Sequence, residues 1–244
     1  MTSLSPQTAS ILDKAHILSA FCLTLVLLIS AAWYSNHANA AASGPILIVG
    51  DSLSSEYGIR RNSGWVQLLR QRLDQKLPTP PTVVNASISG DTTSGGLTRL
   101  PALLARNKPS VVIIELGGND ALRGLSLDMT RDNLTKMTHL AKEAGAKVIL
   151  VGMQIPPNYG PAYSDSFKSL FGEVAQSTDS ALVPFLLAGL ETDRTYFIED
   201  GIHPAENAQP KLLDNVWPVI APLLGVSVTS RYPLESKLAH LAAL

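Results

Sequence analysis

Five short runs of consecutive apolar, mostly β-branched residues recur along the chain, at 46–49, 82–84, 111–116, 147–151 and 181–185. Hydrophobicity that is continuous rather than alternating predicts strands buried on both faces. Between these runs the apolar positions change to helical spacing. Ser63 can cap a helix carrying Trp65, Leu68, Leu69, Leu73 and Leu77. Leu97, Leu100, Leu103 and Leu104 form a second stripe, interrupted by Pro101. Leu127, Leu134, Met137 and Leu140 form a third, which stops at Gly145. A fainter pattern covers 167–174, and a last helix carries Leu212, Leu213, Val216, Trp217 and Ile220. Strand–helix alternation at this spacing predicts one α/β domain with a parallel sheet covered on both faces.

The ends of the chain read differently. Residues 17–32 are apolar and uncharged, with Lys14 just before them and Ala38-Asn39-Ala40, a small-x-small cleavage site, after them. That is the layout of a secretory signal peptide. Asp13 weakens its positive end, and an uncleaved anchor is the alternative, since a spanning helix takes roughly 20 apolar residues. The expected organisation is a signal over 1–40, one domain over 41–225 and a tail over 226–244, with Leu234, Leu238 and Leu241 at helical spacing. The expected location is exported and periplasmic, with membrane anchoring or secretion as alternatives.

Composition narrows the chemistry. Of the 244 residues 45% are hydrophobic and 16% charged, which excludes a disordered chain. Nineteen Lys and Arg against twenty Asp and Glu leave no basic footprint for nucleic acid. The one cysteine, Cys22, lies in the leader behind Phe21, where a lipoprotein site has a small residue. No disulfide or cysteine-based zinc site can form, and no H-E-x-x-H is present, so neither a metal nor a cofactor is expected. A monomer is expected, meeting the membrane only through the leader.

In a parallel α/β sheet, ligands bind beyond the carboxyl ends of the strands. The first run ends in Gly50-Asp51-Ser52-Leu53-Ser54. Gly50 allows an unusual turn that presents Ser52 as an exposed nucleophile. Alternatively, Asp51 and Ser52 cap a helix start. The second run leads into Gly90-Asp91-Thr92-Thr93-Ser94-Gly95. Gly96 and Leu97 stand where a phosphate loop needs Lys and Ser or Thr, so nucleotide binding fails. Gly90 either offers its backbone N–H to an oxyanion or belongs to an ordinary turn. The third run ends in Gly117-Gly118-Asn119-Asp120. Asn119 can donate its amide to an oxyanion, or open an Asx turn. The last loop holds Asp200-Gly201-Ile202-His203-Pro204. His16 and His37 lie in the leader; of the other three histidines only His203 has a carboxylate three residues earlier, so Asp200 can orient one ring nitrogen and leave the other as a base. A surface salt bridge is the alternative.

Taken together, these blocks resemble the GDSL/SGNH hydrolases, whose motifs are a GDSL serine, a glycine, a GxND asparagine and a DxxH pair. Here they read GDSLSSEYGI from Gly50, NASISGDTTSGG from Asn85, ELGGNDALRG from Glu115 and DGIHPAENAQP from Asp200. The similarity is greatest to the exported bacterial thioesterase, lysophospholipase and arylesterase group. It implies a three-layer α/β/α, flavodoxin-like fold and the hydrolysis of acyl esters, thioesters or lysophospholipids. It implies Ser52, His203 and Asp200 as catalytic triad. It places the oxyanion on the N–H groups of Ser52 and Gly90 and the amide of Asn119. In that group the loop of residues 154–163 borders the acyl-chain groove, so Pro156 and Tyr159 are the implied substrate-binding residues. Glu56 departs from the family, where a small residue such as glycine is frequent, and is expected to alter the site entrance. A carbohydrate acetylesterase of the same fold, or a non-catalytic flavodoxin-like binding module, are the rival readings.

Overall fold

A computed structural model describes residues 44–227. Strands β1 (Ile46–Gly50), β2 (Val83–Asn85), β3 (Val111–Glu115), β4 (Lys147–Val151) and β5 (Ala181–Val183) pair in parallel in the order β2-β1-β3-β4-β5. Every residue of β1 and β3 is buried, which is why their sequences are apolar up to the last residue of each, Gly50 and Glu115. Helices α1 (Trp65–Lys76) and α6 (Gln209–Leu223) pack together on one face. On the other face lie α2 (Thr93–Asn107), α4 (Leu127–Glu143) and α5 (Pro161–Ser177), while the short α3 (Gly118–Leu122) follows β3 directly. This is the expected three-layer α/β/α, flavodoxin-like arrangement.

The strand order reverses direction between β1 and β3. Chains leaving these neighbouring strands turn to opposite faces and open a crevice at their carboxyl ends. The register sets Gly50 opposite Glu115 at that edge.

Local chemistry accounts for the differences from the sequence reading. Ser63 does not cap α1: the N-cap is Gly64, and the Ser63 hydroxyl donates to the Arg60 carbonyl. Pro101 does not interrupt α2, which runs through it with the ring exposed. β5 ends at Val183 rather than reaching residue 185, because Pro184 has no N–H to donate. Gly50 has no positive φ. Its place is set by space, since a Cβ there would stand 2.7 Å from Glu115 Oε2 and 2.9 Å from Ser54 Oγ. Among the described residues no helix is long and apolar enough to cross a membrane. The apolar run 17–32, the cleavage site and the leucines of the tail lie outside the described residues.

Candidate active site

Ser52 is the second residue beyond β1, in a turn held by Ser55 N–H donating to Asp51 O and Tyr57 N–H donating to Ser52 O. No helix begins there, so the capping alternative does not apply; Asp51 instead closes an Asx turn by accepting from Leu53 N–H at 3.0 Å. His203 arrives from the opposite end of the chain. Its loop is a small hairpin, with Ile198 N–H donating to His203 O and the Arg194 guanidinium donating to the carbonyls of Ile198 and Glu199. Gly201, at φ 75°, makes the turn that brings Asp200 under the imidazole. Asp200 Oδ1 accepts from the N–H groups of Ile202 and His203, and Oδ2 lies 2.6 Å from His203 Nδ1. The other ring nitrogen, Nε2, lies 2.9 Å from Ser52 Oγ. Burial is the largest single influence and raises the Asp200 carboxyl, but the two N–H groups and the imidazole together outweigh it and hold the pKa at about 2. Asp200 therefore stays ionised and can accept a hydrogen bond from Nδ1–H, with Nε2 the ring nitrogen that faces Ser52 Oγ.

Gly90 and Asn119 come to the same edge from β2 and β3. Gly90 takes φ 78°, and its carbonyl accepts from Arg123 at 2.8 Å. Gly117, at φ 115°, turns the chain sharply out of β3 so that α3 starts with Asn119 near the strand tip. The following residue locks the two segments together. Asp120 is fully buried and accepts from Thr93 N–H at 2.9 Å and Thr93 Oγ at 2.5 Å, capping the start of α2. Neither Ser52 N–H nor Gly90 N–H has a protein partner among the described residues.

Behind the serine sit two buried carboxylates. Glu115 Oε2 accepts from Ser54 Oγ at 2.7 Å and from Asp51 N–H at 3.3 Å. Desolvation, with the nearby Asp51 charge, pushes its pKa well up. Asp51 is 3% exposed and its pKa is raised to about 6, mainly by burial. Its Oδ2 accepts from Asn119 Nδ2 at 2.9 Å.

Pro156 and Tyr159 both lie exposed in the loop after β4, and Tyr159 Oη donates to Leu122 O at 3.3 Å. Tyr163 donates to Leu125 O at 2.9 Å. The loop is thereby joined to the segment that carries Asn119. Glu56, at φ 63°, turns its carboxylate into its own loop, accepting from Asn62 N–H at 2.9 Å and Gly64 N–H at 2.8 Å. A glycine suits that left-handed backbone, and here two hydrogen bonds hold it for a glutamate.

Four residues near the site escaped the sequence reading. Tyr57 packs its ring 4.5 Å from the imidazole of His203, tilted by 44°. Arg123 holds Gly90, Asp51 holds Asn119, and Gln209 ties α1 to the residues just after His203. Their one signal was position: all four stand inside the quoted motif blocks.

A hydroxyl, an imidazole and a carboxylate in relay at the carboxyl edge of a parallel sheet define the arrangement of a serine hydrolase. Comparison with known proteins agrees. Residues 48–209 match the GDSL-like Lipase/Acylhydrolase family. The chain is 50% identical over 211 residues to esterase TesA of Pseudomonas aeruginosa, covering 86% of this chain and 100% of that protein. It is 39% identical over 185 residues to thioesterase 1/protease 1/lysophospholipase L1 of Escherichia coli K12, covering 76% and 87%. A crystal structure of TesA superposes with a TM-score of 0.71 at 52% identity, over 73% of this chain and 99% of that one. The chain belongs to the GDSL-like lipase/acylhydrolase family, and it is an enzyme that hydrolyses carboxylic esters.

Proposed function

We propose that the protein cleaves ester and thioester bonds of medium to long acyl chains, lysophospholipids and aryl esters included, through an acyl-enzyme on Ser52. The observation that carries this reading is the relay of 2.9 Å from Ser52 Oγ to His203 Nε2 and 2.6 Å from His203 Nδ1 to Asp200 Oδ2. Ser52 Oγ attacks the acyl carbonyl while its proton passes to Nε2. The tetrahedral oxyanion takes the free N–H groups of Ser52 and Gly90 and the amide of Asn119. Collapse expels the alcohol or thiol, which leaves with the proton from Nε2. Water then gives a proton to the same nitrogen, attacks the acyl-enzyme, and the fatty acid departs as Oγ recovers its proton.

The acyl-chain assignment rests on the apolar, proline-stiffened loop bearing Pro156 and Tyr159. An apolar wall suits alkyl chains better than sugars, whose hydroxyls need polar partners. The name of the Escherichia coli relative, which includes thioesterase and lysophospholipase, supports the substrate range. All the proposed site residues come from one chain, in keeping with a monomer. The leader over 1–40 directs the domain out of the cytoplasm, to the periplasm.

Intact mass after treatment with a fluorophosphonate tests the reading. The parent gains one adduct and Ser52→Ala gains none; an unmodified parent overturns the assignment. A p-nitrophenyl ester series then reads the acyl preference. Activity rising from acetate towards octanoate is expected, whereas a maximum at acetate would favour an acetylesterase.

A further inference from the structure

The side chain of Asn119 has two chemically opposite ends. Its NH2 stabilises an oxyanion, and its carbonyl repels one. A rotation of half a turn about the terminal bond exchanges the two. What decides the orientation here is the neighbour on its inner side. Asp51 Oδ2 accepts from Asn119 Nδ2 at 2.9 Å, and an ionised carboxylate is an acceptor only, so it can hold this amide by its NH2 end alone.

Asp51 is itself held on every side. Its backbone N–H donates to Glu115 Oε2, and its Oδ1 accepts from Leu53 N–H at 3.0 Å. It is almost fully buried, forms no salt bridge among the described residues, and faces a second buried carboxylate, Glu115. An unpaired buried charge is costly to a fold. An asparagine would serve the Leu53 N–H equally well and carry no charge. The one thing it would not do is present an acceptor alone to Asn119.

We propose that Asp51 is a positioning residue that orients the Asn119 amide, so that its second N–H faces the oxyanion formed at Ser52. This rests on the reading of Ser52 as nucleophile and Asn119 as oxyanion donor. With Asp51→Asn, two NH2 groups confront each other until Asn119 rotates, and its carbonyl then faces the developing negative charge.

Steady-state kinetics on p-nitrophenyl butyrate, with thermal melts, test the idea in Asp51→Asn, Asn119→Ala, the double variant and Ser52→Ala. In Asp51→Asn, kcat is expected to fall about 10²–10³-fold, the cost of one lost oxyanion donor, with KM within about threefold of the parent. The double variant is expected to be no slower than the slower single variant, because both changes remove the same donor. The melting temperature of Asp51→Asn is not expected to fall, which separates lost orientation from lost structure. A kcat for Asp51→Asn within about threefold of the parent overturns the proposal, as does a double variant showing the product of the two single losses. Should Asp51→Asn not fold, Asp51→Ser carries the same comparison. Its kcat loss should not exceed that of Asn119→Ala and should vanish in the Asn119→Ala background; a loss that persists there overturns the proposal. An active Ser52→Ala would instead sink the underlying site reading, so the two failures are distinguishable.

Discussion

Gln209, the first residue of α6, accepts a hydrogen bond from the backbone N–H of Trp65, the first residue of α1, at 2.9 Å. Its own Nε2 donates to the carbonyls of Pro204 and Ala205, immediately after His203. One buried amide thus ties the helix after the serine loop to the loop of the proposed base. Arg60 and Glu206 repeat the link at the surface, where the Glu206 carboxylate accepts from Arg60 N–H and from its guanidinium. That exposed pair contributes little, but Gln209 is shielded from water. Gln209→Leu strands the Trp65 N–H and the Pro204 carbonyl, while the Ala205 carbonyl keeps its bond from Ala208 N–H, and each buried unsatisfied group costs about 1–3 kcal/mol. We expect a destabilisation of about 2–4 kcal/mol in urea unfolding. A loss below about 0.5 kcal/mol, the range of ordinary surface substitutions, would show the clamp to be idle.

Tyr57 stands against His203 while half its surface faces solvent. An aromatic neighbour limits the tilt of the imidazole, and such ring pairs contribute about 0.5–1.5 kcal/mol. Tyr57→Ala should therefore lower kcat/KM about 3–10-fold on a p-nitrophenyl ester. Tyr57→Phe keeps the ring and should match the parent. A Phe variant as slow as the Ala variant would shift the role from the ring to the hydroxyl.

Arg123 donates to the carbonyl of Gly90 and also follows directly on α3, which begins with Gly118 and Asn119. It therefore braces the two segments proposed to hold the oxyanion. A hydrogen bond to a charged donor is worth about 1.5–3 kcal/mol, with the lower end applying to an exposed side chain. Arg123→Met should reduce kcat about tenfold and leave KM and the melting temperature near the parent's. Arg123→Lys should recover part of the loss. Unchanged kcat in the Met variant would show that the Gly90 turn keeps its shape unaided.

The sheet was legible because most strand positions form continuous apolar runs, and the site because four loops that each had an ordinary alternative together match the blocks of one family. Ser52, Gly90, Asn119, Asp200 and His203 were candidates from their loops, and the resemblance of the four blocks to one family assigned their roles; the structure brings Ser52, His203 and Asp200 into one relay. What escaped was the support. Gln209 and Arg123 act through backbone carbonyls, and a carbonyl leaves no trace in sequence. Asp51 looked like a helix cap because its real partner, Asn119, lies 68 residues away and meets it only across the β1–β3 register. Glu56 read as a change at the entrance, whereas its carboxylate serves the N–H groups of its own loop.

Asp51 and Asp200 shift in opposite directions and so give stability a signed dependence on pH. Asp200, held at about 2, is more acidic folded than its ordinary 3.8. The unfolded chain binds the extra proton between those values, so this group stabilises the fold above pH 4, and that contribution is lost as pH falls through 2. Asp51 is raised from 3.8 to about 6, chiefly by burial, with Asp91 adding to the rise. The Leu53 N–H, the Asn119 amide and His203 pull it back, and Glu115 is the other carboxylate facing it. Here the folded state holds the extra proton, so stability declines as pH rises from about 4 to 6 and the penalty persists above. A displacement of about two pH units corresponds to roughly 3 kcal/mol. Urea unfolding of the parent and Asp51→Asn at pH 4 and pH 7 isolates this group. The variant should gain on the parent between the two by an amount on that order, ending the more stable at pH 7 though the poorer catalyst. A gap that stays constant with pH would mean that Asp51 titrates alike in the folded and unfolded chains.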